Sequence, residues 1–147
     1  MRSYERDQNW ADNEEFVALL PELGAGLPIY ALLEYIGIAS FNHNPRQLER
    51  LVSATLLDLR LSLIFPRPSS EEPLAALHDE IFIKAYEYMK QRQMSYGDAQ
   101  VLRLAEEDGR HDLFVTWNAR HFRGRSPIEI ITPAQLVRRL KLNASGA

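Results

Sequence analysis

The chain has 147 residues, 46% hydrophobic content, no cysteine and a formal net charge of −3. A domain of about 150 residues buries roughly 68–70% of its unfolded surface, so one globular domain with a substantial core is expected. Disulfides and thiolate metal sites are excluded, no apolar run approaches the roughly 20 residues of a membrane span, and Met1 to Asn13 holds no signal-peptide core. These features together point to a soluble cytoplasmic protein.

In chain order, Asp12 to Leu23 reads as a helix interrupted late by Pro21. "GAGLPIY" follows as a loop entering a short strand or a helix start. Leu27 to Phe41 is apolar almost all round, the pattern of a buried helix. Asn44-Pro45-Arg46-Gln47 opens the next helix. Asn44 is a good N-cap, Pro45 is pre-organised for the first turn and Gln47 completes a capping box. "LSLIF", 61–65, reads as a buried strand ended by Pro66 and Pro68. Ser70 or Pro73 starts a long helix to about Gln93, and Ser95 starts another that ends at Gly109. Strands are predicted at Leu113–Trp117 and Ile128–Ile131. Thr132-Pro133-Ala134-Gln135 then opens the last helix with a second capping box. Residues 1–142 read as one domain and Asn143–Ala147 as a frayed tail.

Strands alternating with helices predict an α/β fold with a mostly parallel sheet covered on both faces. Sites in such sheets gather at the carboxyl ends of strands. Asn118 and His121 lie just past one such end.

Two acids sit in apolar contexts. Glu34 is the only charged residue between Glu22 and Arg46. A charge on a buried helix costs several kcal/mol unless it is paired or binds metal. The alternatives are a wet stripe on that helix or an arginine partner. Asp98 shares a helical face with Val101, Leu102 and Ala105, away from the charged stripe of Arg103, Glu106 and Glu107. Ser95-x-x-Asp98 is also a capping box, and a capping carboxylate keeps lone pairs for a metal. Asn118 could equally cap the short turn that holds Arg120 and His121. His121 alone reads as a packed or solvent histidine, and Trp117 as core rather than a base-stacking platform. His43, His78 and His111 carry no assigned role. Residues 119–141 hold six Arg or Lys against one acid, Glu129, so a basic segment rides on an acidic body.

Taken in order, these segments resemble the PIN domain family, which includes the VapC-type toxins of toxin–antitoxin pairs. "YALLEYIG" is similar to the family's second acidic motif, with Glu34 in the acidic place. "SYGDAQVLRLA" resembles the third, with Asp98, and "LFVTWNARHF" resembles the fourth, with Asn118 where many members carry Asp. "IEIITPAQLV" resembles the closing strand and helix. The resemblance implies a three-layer α/β/α sandwich around a mostly parallel central sheet, and a metal-dependent endoribonuclease. Glu34 and Asp98 would bind Mg²⁺ or Mn²⁺, and Asn118 would assist catalysis. Arg120, His121, Arg123 and Arg125 would contact RNA, either single-stranded or a structured loop. An antitoxin protein and a homodimer are the further partners implied, with no membrane.

The family's first strand, which ends in an essential Asp, has no counterpart in "MRSYERDQNWADN". It is expected immediately upstream of Met1. Without it, neighbouring strands would keep unpaired backbone groups beside an apolar slot. Asp7 and Asp12 are poor substitutes, since neither follows a strand. The rival reading is a catalytically inactive module of the same fold that binds RNA or an acidic partner protein through residues 119–141. A small-molecule α/β enzyme has little support. There is no glycine-rich phosphate loop and no Gly-x-Ser-x-Gly elbow.

Overall fold

The computed structural model describes residues 10–145, so Asp7 lies outside the described residues. Helix α1 (Trp10–Leu23) runs through Pro21 instead of breaking there, and ends at Gly24 with φ +60°. Strand β1 (Gly26–Pro28) feeds directly into α2 (Ile29–Ser40). In α3 (Pro45–Asp58) the capping box forms as its sequence demands. Gln47 N donates to Asn44 Oδ1 and Asn44 N donates to Gln47 Oε1, each at 3.0 Å. Strand β2 (Ser62–Ile64) follows.

The predicted long helix comes as α4 (Pro73–His78), a π-helical turn over Asp79–Ile83 and α5 (Lys84–Arg92). Next is α6 (Tyr96–Asp108), which stops at Gly109 with φ +66°, a conformation that costs glycine little. Strand β3 (Leu113–Val115), the single turn α7 (Ala119–Phe122), β4 (Glu129–Ile131) and α8 (Pro133–Ser145) complete the chain. The second capping box is also present, with Gln135 N donating to Thr132 Oγ1 at 3.2 Å and Thr132 N to Gln135 Oε1 at 2.9 Å. Helix α8 reaches Ser145, so Asn143–Ser145 is helical rather than frayed. Residues 146–147 lie outside the described residues.

The fold is mixed α/β and mostly helical. The expected single central sheet is not formed among the described residues. Instead β1 pairs in parallel with β2, Gly26 opposite Ser62, and β3 pairs in parallel with β4, Leu113 opposite Glu129. Helix α6 packs against α2, α5, β1 and β2, while α1 packs on α8. The core centres on Leu102, Ala119, Phe122 and Ile130, with Phe114 stacked at a tilt on Phe122, ring centroids 5.0 Å apart.

Two burial expectations fail. Helix α2 is apolar all round but buries only Leu32 and Ala39. Leu33, Tyr35, Glu34 and Ile38 are exposed, because among the described residues only its inner face meets α6. Conversely, Arg103, on the charged stripe of α6, is 3% exposed. Its guanidinium donates to Glu80 from the π-helical turn, to Glu107 Oε1 at 2.8 Å and to Gln100 Oε1 at 3.0 Å. Tyr30 of α2 donates its hydroxyl to the same Glu80 at 2.7 Å. Burial, and then that carboxylate, push the Tyr30 phenol well above its ordinary range. One buried cation therefore ties α6 to the π-helical turn, and through Glu80 to α2.

Removing one member of a buried pair leaves the other charge uncompensated. Arg103→Met should cost about 3–5 kcal/mol in urea denaturation. Glu107→Gln should cost about 1 kcal/mol or less, because Glu107 is 37% exposed and water screens its pairing. Equal losses in the two variants would contradict this account of the network.

Candidate active-site cavity

A cavity of about 890 Å³ lies between the two sheets. Its walls are mainly apolar, from Phe16 and Leu20 of α1, Leu27 of β1, Val101 of α6 and Leu113 and Val115 of β3. Glu34, Asp98 and Asn118 line the same cavity, so three elements far apart in sequence bring the candidate residues to its wall.

Each of the three arrives by a different local device. Glu34 sits on α2 and is exposed, not buried as its apolar neighbours imply. Its charge therefore needs no buried partner. Asp98 lies in the first turn of α6. Ser95 Oγ accepts from Asp98 N at 3.3 Å, but the reverse half of the capping box is not formed. The Asp98 carboxylate, 30% exposed, is left facing His121, whose Nδ1 lies 3.8 Å away. Asn118 opens α7 without capping it through its side chain. Its backbone N–H donates to Thr116 Oγ1 at 3.1 Å, and its amide Nδ2 donates to His121 Nδ1 at 2.8 Å. An Asp–His–Asn cluster thus forms from residues of which only His121 seemed ordinary in sequence.

The other candidates divide. Arg120 is exposed, and among the described residues it has no ion pair or side-chain hydrogen bond. Arg123 is exposed and donates to Gln135 Oε1 at 2.7 Å. Arg125 is half-buried and makes a structural tie. Its Nη1 donates to Gln93 O at 2.8 Å, and its own carbonyl accepts from Arg92, which fastens the end of α5 to the turn after α7. Trp117 is 42% exposed, not core, and its indole N–H donates to Asn13 Oδ1 at 3.1 Å. A second, basic depression of about 500 Å³ is lined by Arg123, Gln135, Arg138, Arg139 and Asn143. It shares Glu129 and Arg139 with the main cavity.

His111, which had no role in the sequence, lies in the cavity wall. Its Nδ1 faces Asp108 Oδ2 at 2.9 Å and its Nε2 faces Gly24 O at 3.2 Å, so the ring props the end of α6 against the entry to β1. A side chain at Gly26 would place its Cβ 2.8 Å from that ring and from Ile64 Cδ1, so both would have to shift to admit it. The detectable signal was the spacing of Asp108 and His111 across the helix-ending Gly109.

Comparison with known proteins finds no matching family model, no matching curated protein and no matching solved structure.

Arg110, at 2.7 Å, and then His111 hold the largely buried Asp108 carboxyl below its usual range. A depressed folded pKa contributes stability above the unfolded value of about 3.9, and that contribution fades as pH falls through the folded value. The stability gap between the parent and Asp108→Asn should therefore shrink below about pH 4 in urea midpoints taken across pH. A gap that stays constant to the acid limit of folding would contradict it.

Proposed function

We propose that this chain is a PIN-like, Mg²⁺- or Mn²⁺-dependent endoribonuclease module on a three-layer α/β/α plan, of the kind that acts as the toxin of a toxin–antitoxin pair. The observation that carries the reading is the convergence of Glu34, Asp98 and Asn118 on one cavity. Among the described residues no group of three His, Cys, Asp or Glu stands ready to hold a metal. Two carboxylates and an amide nonetheless suit a hard cation that keeps several of its waters and takes the rest of its shell from a phosphate.

Glu34 and Asp98 would hold that ion. When bound, it supplies activation of water and neutralises charge on the scissile phosphate. With the Asn118 amide engaged at His121 Nδ1, Nε2 is left as the ring nitrogen that would donate to a phosphate oxygen. The Asn118 amide oxygen is left to orient water or substrate. Arg120 and Arg123 offer charge to the RNA backbone, and the basic depression beside the cavity continues that path. The exposed face of Trp117 can stack an unpaired base. The same sparse acid set favours a second reading, an inactive module of this fold that binds RNA or an acidic protein.

Single-stranded RNA incubated with the protein and Mn²⁺ should be cut, and Asp98→Asn should lower the rate by about 100-fold or more. Cleavage that survives in Asp98→Asn rejects the site. RNA binding without cleavage at any metal concentration establishes the second reading. On either reading, Arg120→Ala should reduce the salt slope of RNA binding by about one, measured by fluorescence anisotropy.

A further inference from the structure

The basic depression beside the cavity is built on one face of α8. Gln135, Arg138, Arg139 and Leu142 stand at i, i+3, i+4 and i+7, so they share that face, and Arg123 reaches it from the end of α7. The three arginines are not alike. Arg139 is occupied, because both of its Nη atoms donate to the Glu129 carboxylate. Arg123 and Arg138 are exposed, and among the described residues neither has a carboxylate partner. Arg123 donates instead to the neutral Gln135 Oε1 at 2.7 Å. That amide oxygen also accepts from Thr132 N at 2.9 Å. With its oxygen turned to two donors, Gln135 keeps both Nε2 hydrogens for a ligand. Two unneutralised cations and an amide donor thus line one depression of about 500 Å³, which shares Glu129 and Arg139 with the cavity.

We propose that this depression is a phosphate subsite, in which Arg123, Arg138 and the Gln135 amide hold one backbone phosphate of single-stranded RNA beside the cavity. The chemistry selects the occupant. A carboxylate has two oxygens and is matched by one arginine, as Glu129 is by Arg139. A phosphate carries oxygens enough for two guanidiniums and an amide together. Leu142 also lines the depression and is 73% exposed, which offers an apolar face to the attached sugar. Glu129 tempers the subsite, because its own charge repels a phosphate and its ion pair keeps Arg139 from joining the other two arginines. The inference rests on the reading of the chain as an RNA-binding module, whether or not it cuts.

The test uses the full chain and a fluorescein-labelled oligouridine of about eight nucleotides. Binding is read by anisotropy in EDTA, so neither metal nor cleavage enters. Arg123→Ala and Arg138→Ala should each weaken binding by about threefold or more. The double variant should lower the salt slope by about 0.7, the value of one phosphate on a single strand. Glu129→Gln should tighten binding by about twofold, because it releases Arg139. Lys90→Ala removes an exposed charge on α5 and should leave the affinity unchanged. A loss in Lys90→Ala equal to that in Arg138→Ala would show diffuse attraction and overturn the subsite. Inorganic phosphate alone should shift the Arg123 and Arg138 side-chain Nε–H resonances. Such shifts, with RNA binding that ignores both variants, would assign the depression to a small anion and overturn the proposal. Hexaglutamate that displaces the labelled RNA as well as unlabelled RNA does would assign it to an acidic protein, and would overturn it too. A parent that binds no RNA would sink the functional reading as well, whereas RNA binding that ignores Arg123 and Arg138 sinks this inference alone.

Discussion

A backbone amide or carbonyl at a strand edge must find a partner or water. Among the described residues the outer edges of β1 and β3 have no strand partner, and a cavity of about 890 Å³ opens between the two sheets. Its consequences run through the structure. A sheet of two strands covers little, so β3 is only half-buried although its sequence reads as core. The core retreats to one side, around Leu102, Phe122 and Ile130. The elements that carry the candidate site then stand around a cavity rather than on a continuous sheet.

Helix α6 compensates for that division. One face supplies Leu102 to the core, another holds the buried Arg103 against Glu80, and its first turn presents Asp98 to the cavity. Its far end is propped against the entry to β1 through Asp108 and His111. Asp98 is thus positioned by a helix fixed in its middle and at its far end. Side chains set on rigid elements hold chemical geometry better than those on loops. Asn118 and His121 reach the same place from a short turn whose buried members, Ala119 and Phe122, lock it into the core.

Much of this was legible in the residues, and the failures have physical causes. Helix starts were read well because capping is local. The Asn44–Gln47 and Thr132–Gln135 boxes form as written. Short apolar runs also marked all the strands but β1, whose three residues were left open between strand and helix start. Burial was read less well, because it depends on what lies opposite. Glu34 is exposed since nothing among the described residues covers the outer face of α2. Arg103 is buried since Glu80, 23 residues away in sequence, comes to meet it. Arg125 ties to the Gln93 carbonyl, a partner that no periodicity reveals. Trp117 lost its expected burial because β3 ends at Val115, two residues short of its predicted end.

Glu34 and Asp98 are proposed to act together on a cation, and direct metal binding tests this without depending on any RNA. Manganese titrated into the full chain by calorimetry should show one site that disappears in Asp98→Asn and weakens in Glu34→Gln. Manganese binding that is unchanged in both variants would contradict the account.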